Sequence, residues 1–201
     1  MQLDTDRTAL IVIDMQNAFC HPSGSLAKLG KDASMCIAAV PACRQLVDAA
    51  HAAGVPVIYT RIVYRPDYRD RGIMPHEIRP VLKDAASCVV GTWDADLVAE
   101  FVPGADDFVV DKNRPSAFFN AGTDTILRNL DVRTVVVCGV TTSMCVESTV
   151  RDAGHRDYRT FVVSDATGEL DRKRHDAALV SMGYFFAHVV TVNDIVKAWA
   201  R

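Results

Sequence analysis

The fold of this chain can be inferred from one stretch of sequence, Thr8-Ala9-Leu10-Ile11-Val12-Ile13-Asp14-Met15-Gln16-Asn17. It begins with a short apolar run rich in β-branched side chains, and polar residues follow from Asp14 onward. A short apolar run without polar alternation is typical of a strand buried on both faces, as in a parallel sheet. We therefore predict a first strand over residues 8–13, with Asp14 at its carboxyl end.

Further apolar runs alternate with helical patterns along the rest of the chain. Strands are predicted at residues 55–60, 108–112, 134–138, 160–164 and 187–190. Helices are predicted from about Pro41 to Ala53, at 96–102, at 123–130 with Thr123 as cap, from Cys145 to about Ala153, at 171–182, and at 192–199 with Thr191 as cap. Residues 62–92 show neither a helical nor a strand periodicity of apolar residues, and they are predicted to be an irregular segment. The alternation of six strands with helices, without internal repeats or low-complexity linkers, predicts one α/β domain over residues 1–201. Its architecture is expected to be a three-layer α/β/α doubly wound sheet with mostly parallel strands.

Composition narrows the functional class. The chain has 201 residues, 49% hydrophobic and 23% charged, which is the mix of a globule that can bury a core without disulfides. The net charge of −3 and the pI near 6.0 argue against a nucleic-acid-binding protein, which usually carries an excess of basic residues. No apolar run approaches the ~18 residues of a membrane span, and the N-terminus does not look like a signal peptide. We expect a cytoplasmic protein with a small-molecule partner, no nucleic acid and no membrane. The six cysteines form no CxxC pair and are expected to be reduced thiols.

Reactive side chains stand at the ends of predicted strands, where ligands bind in open parallel sheets. Asp14 ends the first strand, Lys112 ends the third, and Cys145 opens the helix after the fourth. A helix N-terminus and a nearby ammonium would lower the pKa of a cysteine and make it a nucleophile. Asp14 would then shuttle the proton, while Lys112 stabilises the thiolate. Taken singly, each residue also fits an ordinary role: a loop cap, a solvated lysine and a small buried hydrophobe.

The stretches 9–19, 111–114 and 139–146 resemble the isochorismatase-like cysteine hydrolase superfamily, and the resemblance covers nearly the whole chain. The resemblance implies a six-stranded sheet of order 3-2-1-4-5-6 and a catalytic triad of Asp14, Lys112 and Cys145. It also implies a non-proline cis peptide between Val140 and Thr141. This bond would turn the backbone N–H groups of Thr141 and Cys145 toward an oxyanion.

Stretches 91–94, 114–120 and 145–152 look most like the superfamily members that hydrolyse carbamoyl and ureido compounds, such as ureidoacrylate, biuret and N-carbamoylsarcosine amidohydrolases. Their substrates share an amide or urea C–N bond. The resemblance thus implies a covalent acyl-enzyme on Cys145, without a cofactor, in a homo-oligomer (dimer or tetramer). No metal is expected, because residues 55–100 contain only His76, whereas nicotinamidases of this superfamily pair two histidines there.

Two other functions stay open from the sequence. One is isochorismatase-type cleavage of a vinyl ether, with Asp14 as the acid and Cys145 as a bystander. The other is a catalytically idle member of the fold that serves as a binding or scaffold subunit. Loss of activity on thiol alkylation would separate the cysteine hydrolase from the ether hydrolase.

Several residues are candidates for contact with the substrate. Phe19 and Phe119 follow Asp14 and Lys112 on loops over the same sheet edge and are expected to line the pocket, with ordinary core aromatics as the alternative. Gln16 and Trp93 are further candidates. The arginines between Arg61 and Arg79 either receive a substrate carboxylate or lie in a solvated loop or subunit contact.

Overall fold

A computed structural model describes residues 3–200, apart from the side chains of residues 74 and 75. The strands are β1 (Thr8–Ile13), β2 (Val57–Ile62), β3 (Phe108–Lys112), β4 (Thr134–Val140), β5 (Arg159–Gly168) and β6 (His188–Val190). They form one parallel sheet in the order β3-β2-β1-β4-β5-β6. The predicted fold class is therefore confirmed, together with the strand order that the resemblance implied.

Helices cover both faces of the sheet. They are α1 (Asn17–Cys20), α2 (Ser25–Lys28), α3 (Ser34–Ala52), α4 (Val81–Asp84), α5 (Thr123–Asn129), α6 (Glu147–Gly154), α7 (Arg172–Phe185) and α8 (Val192–Trp199). Helices α3 and α8 pack on one face, and α5, α6 and α7 pack on the other. Wide helical turns at Met74–Ile78 and Thr142–Val146 and 3-10 turns at Thr5–Arg7 and Trp93–Ala95 complete the helical segments.

Strand β1 lies in the middle of the sheet, and all its residues are buried. Successive side chains of a strand point to opposite faces. Leu10 and Val12 accordingly join the core under α3 and α8, while Ala9, Ile11 and Ile13 join the core on the other face. Two covered faces explain why this run shows no polar alternation.

Helix α3 begins well before the predicted start near Pro41, which lies inside the helix. A proline there removes one helical hydrogen bond, a cost that usually favours placing it in the first turn. Pro41 faces solvent, so water can bind the carbonyl that is left without its partner. Cys36 and Val40 are buried in the core under the helix, and this packing favours the earlier start.

The helix predicted at 96–102 is wrong. A single 3-10 turn at Trp93–Ala95 precedes this segment, and a single turn bond, from Phe101 N–H to Val98 O, lies within it. Other backbone groups of the segment bond to the residues after β1. Asn17 N–H donates to Asp96 O at 2.9 Å, and Val98 N–H donates to Met15 O at 2.9 Å. These long-range bonds satisfy the backbone groups that a helix would have used.

Other element ends also differ from the predictions. Strand β5 extends to Gly168, past the predicted end at residue 164. Thr123 is the first residue of α5 and does not cap it, because Gly122 takes the cap position. In contrast, α8 has the predicted bounds, with a capping box between Thr191 and Asp194. No helix within residues 3–200 has the length and apolar character that a membrane crossing requires.

Gly139 allows β4 to pass β1 closely at the edge that carries Asp14. Its φ is +110°, a conformation that favours glycine, and it pairs with Ile13. A Cβ added at this position would lie 2.1 Å from the Ile13 carbonyl oxygen. The close approach sets the start of the turn that follows β4.

Replacement of Gly139 by alanine should destabilise the fold by about 2–5 kcal/mol, because a strained φ adds to a clash with rigid backbone. Urea unfolding followed by circular dichroism measures the change. Gly122→Ala is the matched control, since an added Cβ meets open space there, and it should cost no more than about 1 kcal/mol, the effect of alanine at a helix cap. Equal stability of the two variants would contradict the close approach.

Candidate active site

Asp14 and Lys112 form a buried ion pair at the carboxyl edge of the sheet. Lys112 Nζ lies 2.7 Å from Asp14 Oδ2, and both side chains have 0% exposure. The strand order puts β2 between the two residues, so the lysine side chain reaches across it. Thr60 of β2 donates its hydroxyl to Asp14 Oδ1 at 2.7 Å. Both carboxylate oxygens are therefore held by a donor.

The opposite charges of Asp14 and Lys112 stabilise each other. Burial is the largest single influence on the pKa of Lys112 and lowers it, but Asp14 and Cys145 together raise it by more, and the net pKa lies above the ordinary value. Lys112 Nζ also donates to the Arg114 carbonyl at 3.2 Å. Lys112 is accordingly an ammonium at neutral pH, although it is buried.

Cys145 lies in the wide turn Thr142–Val146, which leads from β4 into α6. The peptide between Val140 and Thr141, at the start of this turn, is cis. Buried Glu169, just after β5, accepts hydrogen bonds from Ser143 N–H at 2.8 Å and from the Ser143 hydroxyl at 2.6 Å. The carboxylate thus fixes the turn two residues before the thiol.

Hydroxyl groups hold the same turn from two further sides. Thr142 Oγ1 donates to the Gly168 carbonyl at 3.0 Å. Thr149 Oγ1 donates to the Cys145 carbonyl at 2.7 Å and accepts from Ala117 N–H at 3.0 Å. These bonds tie the turn to β5, to α6 and to the segment after Lys112.

The Cys145 thiol is protonated at rest. Burial raises its pKa to about 12, and Asp14 adds to the rise while Lys112 opposes it. Asp14 and Lys112 both lie within hydrogen-bonding reach of the thiol. The prediction of a lowered pKa was wrong, because loss of solvent outweighs the ammonium. A base beside the sulfur is therefore needed to take the proton, and the Asp14 carboxylate lies in that position.

A largely apolar pocket of about 250 Å³ opens above this cluster. Cys145 and Thr141 lie in its wall, as does Phe19, which was predicted to line it. The Thr141 hydroxyl is buried and has no hydrogen-bond partner among the described residues. Cys145 and Thr141 are thus available to a molecule in the pocket, whereas an oxyanion role of their N–H groups stays a prediction.

Three residues predicted to contact the substrate lie away from the pocket wall. The Gln16 amide is buried and bonds to backbone, donating to Ile62 O at 2.9 Å and to Ala95 O at 2.8 Å and accepting from Ile62 N–H. Trp93 is 48% exposed and packs edge-on against His21. Phe119 is 57% exposed. Gln16 joins the segment after β1 to the end of β2 and to the 3-10 turn Trp93–Ala95, which explains its place beside the site.

Sequence reasoning missed Thr60 and Glu169, and it named Arg71 only as one of the arginines between Arg61 and Arg79. Thr60 ended the predicted second strand and Glu169 follows β5, so both carry the same signal as Asp14, but the predicted end of β5 at residue 164 concealed Glu169. Arg71 stood in the arginine run, and nothing local distinguished it from its neighbours. Within residues 3–200, no group of three or more His, Cys, Asp or Glu side chains is arranged to hold a metal ion, and metal independence stays a prediction.

Comparison with known proteins gives matches along nearly the whole chain. The isochorismatase domain family matches residues 8–194. Ureidoacrylate amidohydrolase RutB from Azorhizobium caulinodans is 36% identical over 214 residues, covering 100% of this chain and 94% of that protein. The matched region includes the segments that carry Asp14, Lys112 and Cys145.

Solved structures match as well. A cysteine hydrolase from Pseudomonas syringae pv. phaseolicola superimposes with a TM-score of 0.90 at 32% identity, covering 100% of this chain and 95% of that chain. N-carbamoylsarcosine amidase from Thermoplasma acidophilum gives a TM-score of 0.75 at 28% identity, covering 93% and 97%.

Loss of one partner of the buried pair should be costly. Lys112→Met leaves the Asp14 carboxylate without its cation and should lower the free energy of unfolding by about 3–5 kcal/mol. The double variant Asp14→Asn with Lys112→Met should lose at least about 2 kcal/mol less than the sum of the single variants. Urea unfolding measures all three. As a control, Arg172→Met removes an exposed ion pair and should cost under about 1 kcal/mol. Additive losses at Asp14 and Lys112 would show that the two charges are not coupled.

The protonated thiol predicts a particular pH dependence of alkylation. Because the pKa of Cys145 is about 12, the thiolate fraction should rise roughly tenfold per pH unit from pH 6 to 10 without levelling off. Iodoacetamide labelling, followed by mass spectrometry of the Cys145 peptide, measures the rate. Free cysteine, run in parallel, should level off near its own pKa of about 8.5. A plateau for Cys145 below pH 8 would mean that Lys112 outweighs burial.

Proposed function

The chain belongs to the isochorismatase family, and from that premise we propose that it hydrolyses a C–N bond of a small amide, carbamoyl or ureido compound through a covalent acyl-enzyme on Cys145. The observation that carries the proposal is the meeting of a thiol, a carboxylate and an ammonium at one end of an apolar pocket. The names of two similar proteins, ureidoacrylate amidohydrolase and N-carbamoylsarcosine amidase, support the substrate class.

In the first step, Asp14 accepts the proton of the Cys145 thiol as the sulfur attacks the carbonyl carbon of the substrate. A C–S bond forms, and the carbonyl π electrons move to oxygen. The backbone N–H groups of Thr141 and Cys145 donate to this oxyanion, a type of interaction for which one lost donor costs about 3–4 kcal/mol. Attack and proton transfer are coupled, because the resting thiol is neutral.

In the second step, the tetrahedral intermediate collapses and the C–N bond breaks. Asp14 returns its proton to the leaving nitrogen, which departs as ammonia or an amine. A water molecule then gives a proton to Asp14 and attacks the acyl carbon. The C–S bond breaks, and the sulfur recovers the proton from Asp14. The sum is one C–N bond hydrolysed by one water, with the three side chains restored.

Lys112 has two parts in this scheme. It holds the proton-accepting carboxyl group of Asp14 in position through the ion pair, and its positive charge stabilises the sulfur as negative charge develops on it. Phe19 lines the apolar wall, which excludes water and strengthens these charge interactions. A cytoplasmic location and a homo-oligomeric state stay predictions.

Replacement of the nucleophile should abolish turnover. Cys145→Ala and Cys145→Ser should each reduce ammonia release from a panel of small ureas, carbamoyl compounds and amides by at least about 10³-fold, since no other group in the scheme forms the acyl bond. Cys36→Ala, which changes a buried thiol in the core under α3, is the matched control and should retain activity. Circular dichroism checks the fold of each variant. Near wild-type turnover by Cys145→Ala would rule out the acyl-enzyme and favour chemistry by Asp14 alone.

A further inference from the structure

Arg71 is a fully buried arginine, with 0% exposure, in the wall of the pocket that contains Cys145. Its Nε and Nη1 atoms have no hydrogen-bond partner among the described residues. Nη2 makes a long contact of 3.5 Å with the Arg79 carbonyl. No carboxylate among the residues of known placement forms an ion pair with it. A buried guanidinium is normally paired, so its donors lack an acceptor that a ligand can supply.

Aromatic rings hold the guanidinium in place. Its central carbon lies 4.6 Å from the ring centre of Tyr68 and 5.4 Å from that of Tyr64. These rings attract the positive charge and keep water away, but they offer no acceptor in the plane of the N–H groups. The edge of the guanidinium is the part left unsatisfied.

The backbone around Arg71 is also fixed. Arg114 Nη1 donates to the Asp70 carbonyl at 3.0 Å, and an added Cβ at Gly72 would lie 2.4 Å from the Arg114 guanidinium. Asp70 accepts through its carboxylate from Arg65 N–H. The segment that presents Arg71 is therefore tied to the residues that follow Lys112, which keeps the cation at a set position relative to the ion pair.

The charge of the pocket wall favours an anion. Its charged members are Arg71, Arg79 and Lys31, and none of its described residues is acidic. Arg79 and Lys31 are exposed and lie at the rim, whereas Arg71 is inside. Cations at an entrance raise the local concentration of anionic ligands. A carboxylate matches the fork of a guanidinium through two oxygens.

We propose that Arg71 binds a carboxylate of the substrate, and that the substrate class is therefore ureido or carbamoyl acids that carry a free carboxylate. This inference rests on the proposed hydrolysis at Cys145, whose sulfur would attack the ureido carbonyl at the other end of the same molecule. Arg71 is a specificity-determining residue in this scheme, and it takes no part in bond breaking.

Paired substrates test the assignment. The acids are 3-ureidopropionate and ureidoacetate, and the neutral partners are n-propylurea and ethylurea, in which a methyl group replaces the carboxylate. The wild-type protein should hydrolyse each acid with a kcat/KM at least about 100-fold above that of its partner. Arg71→Met should remove this preference, mainly by raising KM for the acids, and should change kcat/KM for the alkylureas by less than about 3-fold.

Matched variants distinguish recognition of the carboxylate by Arg71 from a purely structural role of this residue. Arg71→Lys keeps the positive charge but lacks the two-pronged geometry of the guanidinium, and it should recover part of the preference for acids. It also replaces Arg71→Met in the test if Arg71→Met does not fold. Arg69→Met changes a side chain that is 86% exposed in the same segment and should keep the full preference. Equal losses on acids and alkylureas in Arg71→Lys would indicate a purely structural arginine and overturn the assignment.

The outcomes distinguish this inference from the proposed function. Equal hydrolysis of acids and alkylureas by the wild type would leave C–N hydrolysis standing and overturn the role of Arg71. If neither class releases ammonia, hydrolysis of ureas fails, and binding of 3-ureidopropionate to Cys145→Ala by calorimetry decides the role of Arg71 separately. Binding that the added Arg71→Met change abolishes would support carboxylate recognition, and absence of binding would overturn it.

Discussion

The Lys112 ammonium lies 2.7 Å from an Asp14 carboxylate oxygen, and neither side chain is exposed. Two charges taken out of water cost several kcal/mol each unless opposite charge and hydrogen bonds replace the solvent. The sheet provides this replacement only because β1 and β3 flank β2, so that a long side chain can cross the intervening strand. Thr60, within β2, donates to the second carboxylate oxygen. The order of the strands therefore determines which residues can meet in the site.

A second part of the molecule brings the thiol to this pair. Gly139 lets β4 approach β1 so closely that the turn after β4 begins beside Asp14. Glu169, from the end of β5, then holds that turn at Ser143. Each of the strands β1, β3, β4 and β5 thus supplies or positions one group at the same edge, which is where open parallel sheets form their ligand sites.

Burial gives the site its chemical character. The same loss of solvent that strengthens the Asp14–Lys112 pair raises the pKa of Cys145 to about 12, so the sulfur is stored as a thiol. A neutral nucleophile beside a carboxylate depends on proton transfer at the moment of attack, which links its reactivity to the arrival of a substrate. Arg71 is the opposite case, a buried cation whose counter-charge is lacking among the described residues.

The layered α/β fold and the residues at the strand ends could be predicted from the sequence, because short apolar runs and the first polar residue after them are local signals. Asp14 and Lys112 were found in this way, and Cys145 from its place after the fourth run. The length of α3, the absence of a helix at 96–102 and the structural role of Gln16 depend on tertiary contacts and could not be predicted in this way. The same holds for the protonation of Cys145 and the burial of Arg71. Each of these depends on partners far away in the chain, such as Met15 for Val98 and Tyr68 for Arg71, and on exclusion of water, which no local pattern records.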